Sequence, residues 1–221
     1  MTKSLYEMMN GGFTTVMKQH FVDYFVGKSL NTDYWTTSNS GGSAGTWAMS
    51  DFGLCFTSAT GSSQGEIYFN NKRQYDGRGC AMIVTQASEF DMDQRGSGFG
   101  NDPTVNDMPE HCVVKASHAG WSSDKSTPNV VHFQTQDTSQ SPTYETLKCG
   151  NNTSTGFNTY KVECKTSSEE CSVNGVLAGT ITSVVFEANT KLQPSIRAKH
   201  GYTPPSVARK FWVKYCEVWN T

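Results

Sequence analysis

Glu89, Asp91 and Asp93 occupy alternate positions of the stretch SEFDMDQ, residues 88–94. Alternate residues of a β-strand share a face, so this spacing brings three carboxylates to one side of a strand. Two carboxyl groups about 5 to 5.5 Å apart are the machinery of retaining glycoside cleavage, one as nucleophile and one as acid and base. The outer pair of this triad, four residues apart, stands roughly 13 Å apart on a straight strand. Only long side chains leaning together close that gap, and Asp93 is one methylene shorter than Glu. The simpler alternative turns Phe90 and Met92 inward, leaves the three acids to solvent or a groove, and lets RGSGFGND follow as a turn. A calcium loop on Asp91-x-Asp93 fails, because Arg95 takes an oxygen position and Asp102 stands where a bidentate Glu belongs. A differently built calcium site using Asp102 or Asp107 remains the one cofactor in view.

The remaining reactive side chains are scattered. Seven cysteines, Cys55, Cys80, Cys112, Cys149, Cys164, Cys171 and Cys216, make an odd number without a Cys-x-x-Cys pair, so neither a zinc knuckle nor a dithiol redox motif is present. They read as small buried hydrophobes. Cys164 and Cys171 flank a short polar loop and are the one candidate disulfide, facing across a hairpin. The five histidines show no metal-ligand spacing, and His111 and Cys112, as sequence neighbours, fall on opposite faces of a strand. The Gly-rich stretches lack the Lys and following helix of a phosphate site. Trp35, Trp47, Trp212 and Trp219 sit in or beside apolar runs and read as core. Trp121, in SHAGWSSD, is a large aromatic among small polar residues and needs something to stack on. Trp121, Tyr202 and Asp91 are therefore the candidate ligand contacts.

These residues have to be positioned by strands. The chain has 221 residues, a formal net charge of −2 and only 17% charged residues. Nothing in it gives the basic footprint of a nucleic-acid or anionic-membrane partner. No apolar run approaches the roughly 18 residues that span a bilayer, and the N-terminus has no apolar core of a secretory signal. About a dozen short alternating runs, among them GCAMIVTQAS, EFDMDQ, NTYKVECK, CSVNGVLAG, ITSVVFEA and KFWVKYCEVWN, are separated by joints such as SNSGGSAG and GYTPPS. That pattern predicts an all-β, two-sheet antiparallel sandwich over 20–221. Residues 1–19 form an apolar N-terminal lead, with a short helix at Ser4–Met9, that packs on its own domain or on a second copy.

Four segments in order carry a resemblance. DYFVGKSLNTDYWTTSNSGGSAGTWAMSDFGLCFTS, GEIYFNNKRQYDGRGCAMIVTQ, FNTYKVECKTSSEECSVNGVLAGT and LQPSIRAKHGYTPPSVARKFWVKYCEVWNT are similar, collinearly, to the concanavalin A-like lectin/glucanase superfamily and its laminin G-like members. The resemblance implies a jelly-roll sandwich. For function it implies a non-catalytic surface binding or assembly module, on a virion or cell surface, with a glycan or neighbouring subunits as partners and a homo-oligomeric state. The alternative from the same superfamily is a glycoside hydrolase of the retaining β-glucanase type, or a polysaccharide lyase. Laid on the glucanase pattern, Glu89 is the nucleophile, Asp91 the helper and Asp93 the acid/base, where that pattern has Glu.

Overall fold

The protein, seen as a computed structural model, is described over residues 19–40, 45–59, 63–69, 74–89, 94–101, 110–117, 130–137, 144–151, 156–200 and 208–221. The expected helix at Ser4–Met9 lies outside these residues, as do Asp91, Asp93, Asp102, Asp107, Trp121 and Tyr202. In chain order the strands are β1 (His20–Asp23), β2 (Trp35–Ser40), β3 (Thr46–Ser50), β4 (Gly53–Thr57), β5 (Ser63–Phe69), β6 (Tyr75–Asp76), β7 (Cys80–Ser88) and β8 (Gln94–Gly100). They continue as β9 (Glu110–Ser117), β10 (Val130–Asp137), β11 (Tyr144–Asn151), β12 (Asn158–Cys164), β13 (Glu169–Val173), β14 (Val176–Ile181), β15 (Lys191–His200) and β16 (Lys210–Asn220). Among the described residues there is no helix, and so none long and apolar enough to cross a membrane.

The strands form two antiparallel sheets, the jelly-roll sandwich expected. One runs β14-β13-β12-β7-β16-β4-β3, with β1 also on β16; the other runs β11-β10-β9-β8-β15-β5-β2, with β6 also on β15. Chain neighbours often lie in different sheets, which is why the contacts are overwhelmingly long-range. β16 organises the first sheet: β7 lies along one side, while β4 and β1 share the other, pairing with residues 210–213 and 216–219. A register shift between Val213 and Tyr215 lets Phe211 and Val213, and then Cys216 and Val218, all face the core. Without that extra residue the second half of the strand would turn its apolar side outward.

Alternation places the core. On β12, Tyr160, Val162 and Cys164 are buried while their neighbours are half-exposed. They meet Phe99, Val114, Phe133 and Ile196 of the other sheet. Trp35 is 1% exposed, stacked among Phe21 and Phe25, and its Nε1–H donates to Asp23 Oδ2 at 2.8 Å. Of the other tryptophans expected in the core, Trp47 packs on its margin against Phe56 and Phe211, and Trp212 and Trp219 are half-buried. The run CSVNGVLAG is not one strand: Asn174 and Gly175, at φ 50° and 82°, close β13 onto β14, the backbone that two-residue hairpins favour. ITSVVFEA also differs. Only Ile181 ends a strand there, and Val184 and Phe186 bury their side chains from a non-strand segment.

The docking of β1 carries a pH dependence. Glu217 accepts from the Tyr215 hydroxyl at 2.6 Å and pairs with His20 Nε2 at 2.8 Å. The Tyr215 bond first, and then His20, hold the Glu217 carboxyl below its ordinary value of 4.5, against the opposing effect of burial. A carboxyl lowered in the folded state adds stability that is full above its unfolded pKa and is lost as pH falls through the folded one. Acidification below about 4.5 is therefore expected to lower the melting temperature more in the wild type than in Glu217→Gln. Equal slopes for the two would contradict this.

Candidate functional site

β7 ends at Ser88 in the first sheet and β8 begins at Gln94 in the second; residues 90–93, Asp91 and Asp93 among them, lie outside the described residues. The expected turn RGSGFGND is a strand instead where it is described: QRGSGFG is paired on both sides, in the middle of the second sheet. Gly98 in it is required by close packing. Gly98 sits at φ 153°, and a Cβ there would overlap the carbonyl oxygen of Cys112 and stand 2.8 Å from the Val113 Cα. Glu89 follows the last paired residue of β7. Its amide donates to the Lys210 carbonyl at 2.9 Å, and its Oε2 accepts the Lys210 amide at 2.9 Å.

The face of the second sheet turned away from the core is mainly polar, with Val113 of β9 among its residues. By alternation from Cys112, Phe99, Phe133 and Ile196, it carries His132 and Gln134 of β10, Gly96 and Gly98 of β8, and Ser195 and Arg197 of β15. Glu66 of β5 holds the register position opposite Arg197. The middle of this face is closed to solvent, with Gln193 4% and Ser195 3% exposed. Amides, hydroxyls and bare glycine backbone are the groups that a hydroxyl-rich ligand matches by hydrogen bonding.

On the first sheet, a cavity of about 580 Å³ is lined by Tyr24, Val26, Phe52, Thr85, Lys214 and Tyr215, among others. Tyr24 and Phe52 are 61% and 64% exposed, and Tyr24 packs on Tyr215 with ring centroids 5.2 Å apart. Aromatic faces with a cation beside them are fit to stack on a sugar ring or a partner's aromatic side chain. The signal for it lay in DYFVG and SDFG, aromatics next to turn residues.

A third constellation lies inside the sandwich. Cys112 of β9, Cys164 of β12 and Glu169 of β13 bring their sulfur and oxygen atoms within 4.8 Å of one another, all buried. They are the group with metal-ligand geometry among the described residues. Burial pushes the Cys112 and Cys164 thiols well up. It also raises the Glu169 carboxyl to about 8, against hydrogen bonds that pull it down, from the Cys164 thiol foremost. No sequence spacing announces this cluster, since its members are gathered by pairing across both sheets.

The disulfide expected between Cys164 and Cys171 is not formed, and among the described residues all seven cysteines are free thiols. The register gives the reason: Cys164 lies opposite Glu169, and Cys171 opposite Val162. The two sulfurs are diagonal rather than facing.

No family model and no curated protein matches the sequence. Solved structures do match the fold. The catalytic domain of an endo-1,3-β-glucanase (laminarinase) from Thermotoga petrophila superposes over 90% of this chain and 96% of its own, at a TM-score of 0.66 and 8% identity. The endo-β-1,3-glucanase of Pyrococcus furiosus covers 90% and 93% at 0.66 and 12%. The β-glucanase of Bacillus licheniformis covers 91% and 97% at 0.60 and 16%. The fold is the concanavalin A-like jelly roll. The laminin G-like detail of the expectation finds no counterpart in these likenesses. They also overturn the expectation of a non-catalytic, non-enzymatic surface module, because these three chains, which superpose almost end to end, are glucanases, and the weight moves to the glycoside hydrolase alternative.

Proposed function

We propose that this protein is a glycoside hydrolase of the retaining β-glucanase type, acting on a β-linked glucan. The observation that carries the reading is the superposition of nine-tenths of the chain on the laminarinase catalytic domain. The acids in play are those the glucanase pattern picks out, Glu89, Asp91 and Asp93.

In this reading the Glu89 carboxylate, oriented by the Lys210 amide, attacks the anomeric carbon. The glycosidic C–O bond breaks as Asp93 gives its proton to the departing oxygen. Water then attacks the same carbon, returning a proton to Asp93 and releasing Glu89, so that two inversions give retention. Asp91, between them in the sequence, is the helper.

Reducing-end release from laminarin tests the reading. Glu89→Gln keeps an acceptor for the Lys210 amide, so the fold survives. Its activity is expected to fall by about 1000-fold or more, the scale of losing a covalent nucleophile. Asp93→Asn is expected to do the same. A Glu89→Gln chain as active as wild type would remove the nucleophile assignment. A wild type that binds laminarin and releases nothing would remove the hydrolase reading.

A further inference from the structure

We propose that Cys112, Cys164 and Glu169 form an interior site for a zinc ion that ties the two sheets together. The donor atoms are already gathered. Cys112 Sγ stands 3.7 Å from Glu169 Oε2, and all three donors lie within 4.8 Å of one another. Tetrahedral zinc, with Zn–S near 2.3 Å, sets its ligand atoms about 3.8 Å apart, so binding asks for little rearrangement.

The topology explains why they meet. Cys164 lies directly opposite Glu169 on β13 and directly opposite Cys80 on β7, making a row across three adjacent strands. Cys112 reaches that row from β9 in the other sheet. The Cys80 thiol, hydrogen-bonded to Cys164, is the nearest further donor. Thr135 Oγ1 donates to Cys112 Sγ at 3.6 Å, an outer partner of the kind that orients a metal-bound sulfur.

Glu169 supplies the independent sign of a ligand. It is 0% exposed, and its Oε1 has no hydrogen-bond partner. A buried carboxyl oxygen left unpaired costs on the order of 1–3 kcal/mol, and natural cores avoid it. A cation at this point satisfies it. Two thiolates with one carboxylate suit zinc rather than calcium or magnesium, which take oxygen ligands. Binding releases the two thiol protons, and the carboxyl proton where it is present, to solvent. One excess negative charge remains near Arg78, whose guanidinium is held at the Phe186 carbonyl. The role is structural, and it is independent of the glucanase reading.

The test uses the full chain, reduced and freed of metal, titrated with Co²⁺ and then Zn²⁺. One equivalent of cobalt is expected to bind with sulfur-to-cobalt charge-transfer absorption. One equivalent of zinc displaces it and raises the melting temperature. Cys164→Ser and Glu169→Gln are expected to weaken zinc by more than about 100-fold, beyond the 10- to 100-fold typical of losing an outer partner. Cys55→Ser, on β4 and hydrogen-bonded to Thr57, leaves binding unchanged. A wild type without the charge-transfer band and without zinc at micromolar metal overturns the proposal. So does equal loss of binding in Cys55→Ser, or a cysteine–cysteine bond that consumes two thiols in place of metal. Should Cys164→Ser fail to fold, the wild-type cobalt spectrum decides.

Discussion

A Gly98→Ala chain is expected to lose about 3 to 5 kcal/mol of stability, with a melting temperature lower by roughly 10 °C or more. Two costs add. The backbone at φ 153° is one that residues with a Cβ rarely adopt, worth about 1 to 3 kcal/mol. The added methyl also meets β9 backbone at Cys112 and Val113, not a yielding side chain. β8 lies between β9 and β15, so relief by moving one neighbour strains the other. Against a total stability of about 5–15 kcal/mol this is a large share. Gly79→Ala is the control. A Cβ at Gly79 meets nothing closer than 3.7 Å, and that chain is expected to change by less than about 1 kcal/mol. Similar denaturation midpoints for the two variants would contradict the close approach of β8 and β9.

Trp35→Ala is the second change of this size. Trp35 is 1% exposed, packed among Phe21 and Phe25, and its indole N–H is bonded to Asp23. Removing it leaves both a cavity and an unpaired carboxylate oxygen, at about 3 to 5 kcal/mol. Trp35→Phe separates the two effects. It refills much of the space, loses only the indole bond, and is expected to cost roughly 1 to 3 kcal/mol. Asp23 Oδ1 still accepts the Phe25 amide at 2.7 Å in either variant, so β1 stays docked. Chemical denaturation with an unchanged slope and the midpoints in the order wild type, Phe, Ala is the expected result. A Phe variant as unstable as the Ala variant would assign the cost to the hydrogen bond instead of to packing.

Particular segments show how far the residues alone reach. The alternation of Tyr160, Val162 and Cys164 and the Asn174-Gly175 turn are local signals, and they specify the β12–β14 region well. QRGSGFG misleads because its Gly98 answers to the backbone of the neighbouring strand, a tertiary demand with no local trace. EFDMDQ tells less, because residues 90–93 lie outside the described ones and only its ends, Glu89 and Gln94, are placed. The interior cluster was invisible for a third reason. Cys112, Cys164 and Glu169 come from three strands in two sheets, and strand order across a sandwich is not written in spacing. Glu89 was legible as one of three closely spaced acids, but its tie to the Lys210 backbone was not.

The stereochemical course of laminari-oligosaccharide cleavage tests the central claim most directly. Proton NMR of the anomeric region, followed from the first minutes, is expected to show the β-anomer of the new reducing end appearing first and then mutarotating. Anomeric signals that stay unchanged with folded protein present would contradict the assignment of this sandwich to β-glucan hydrolysis.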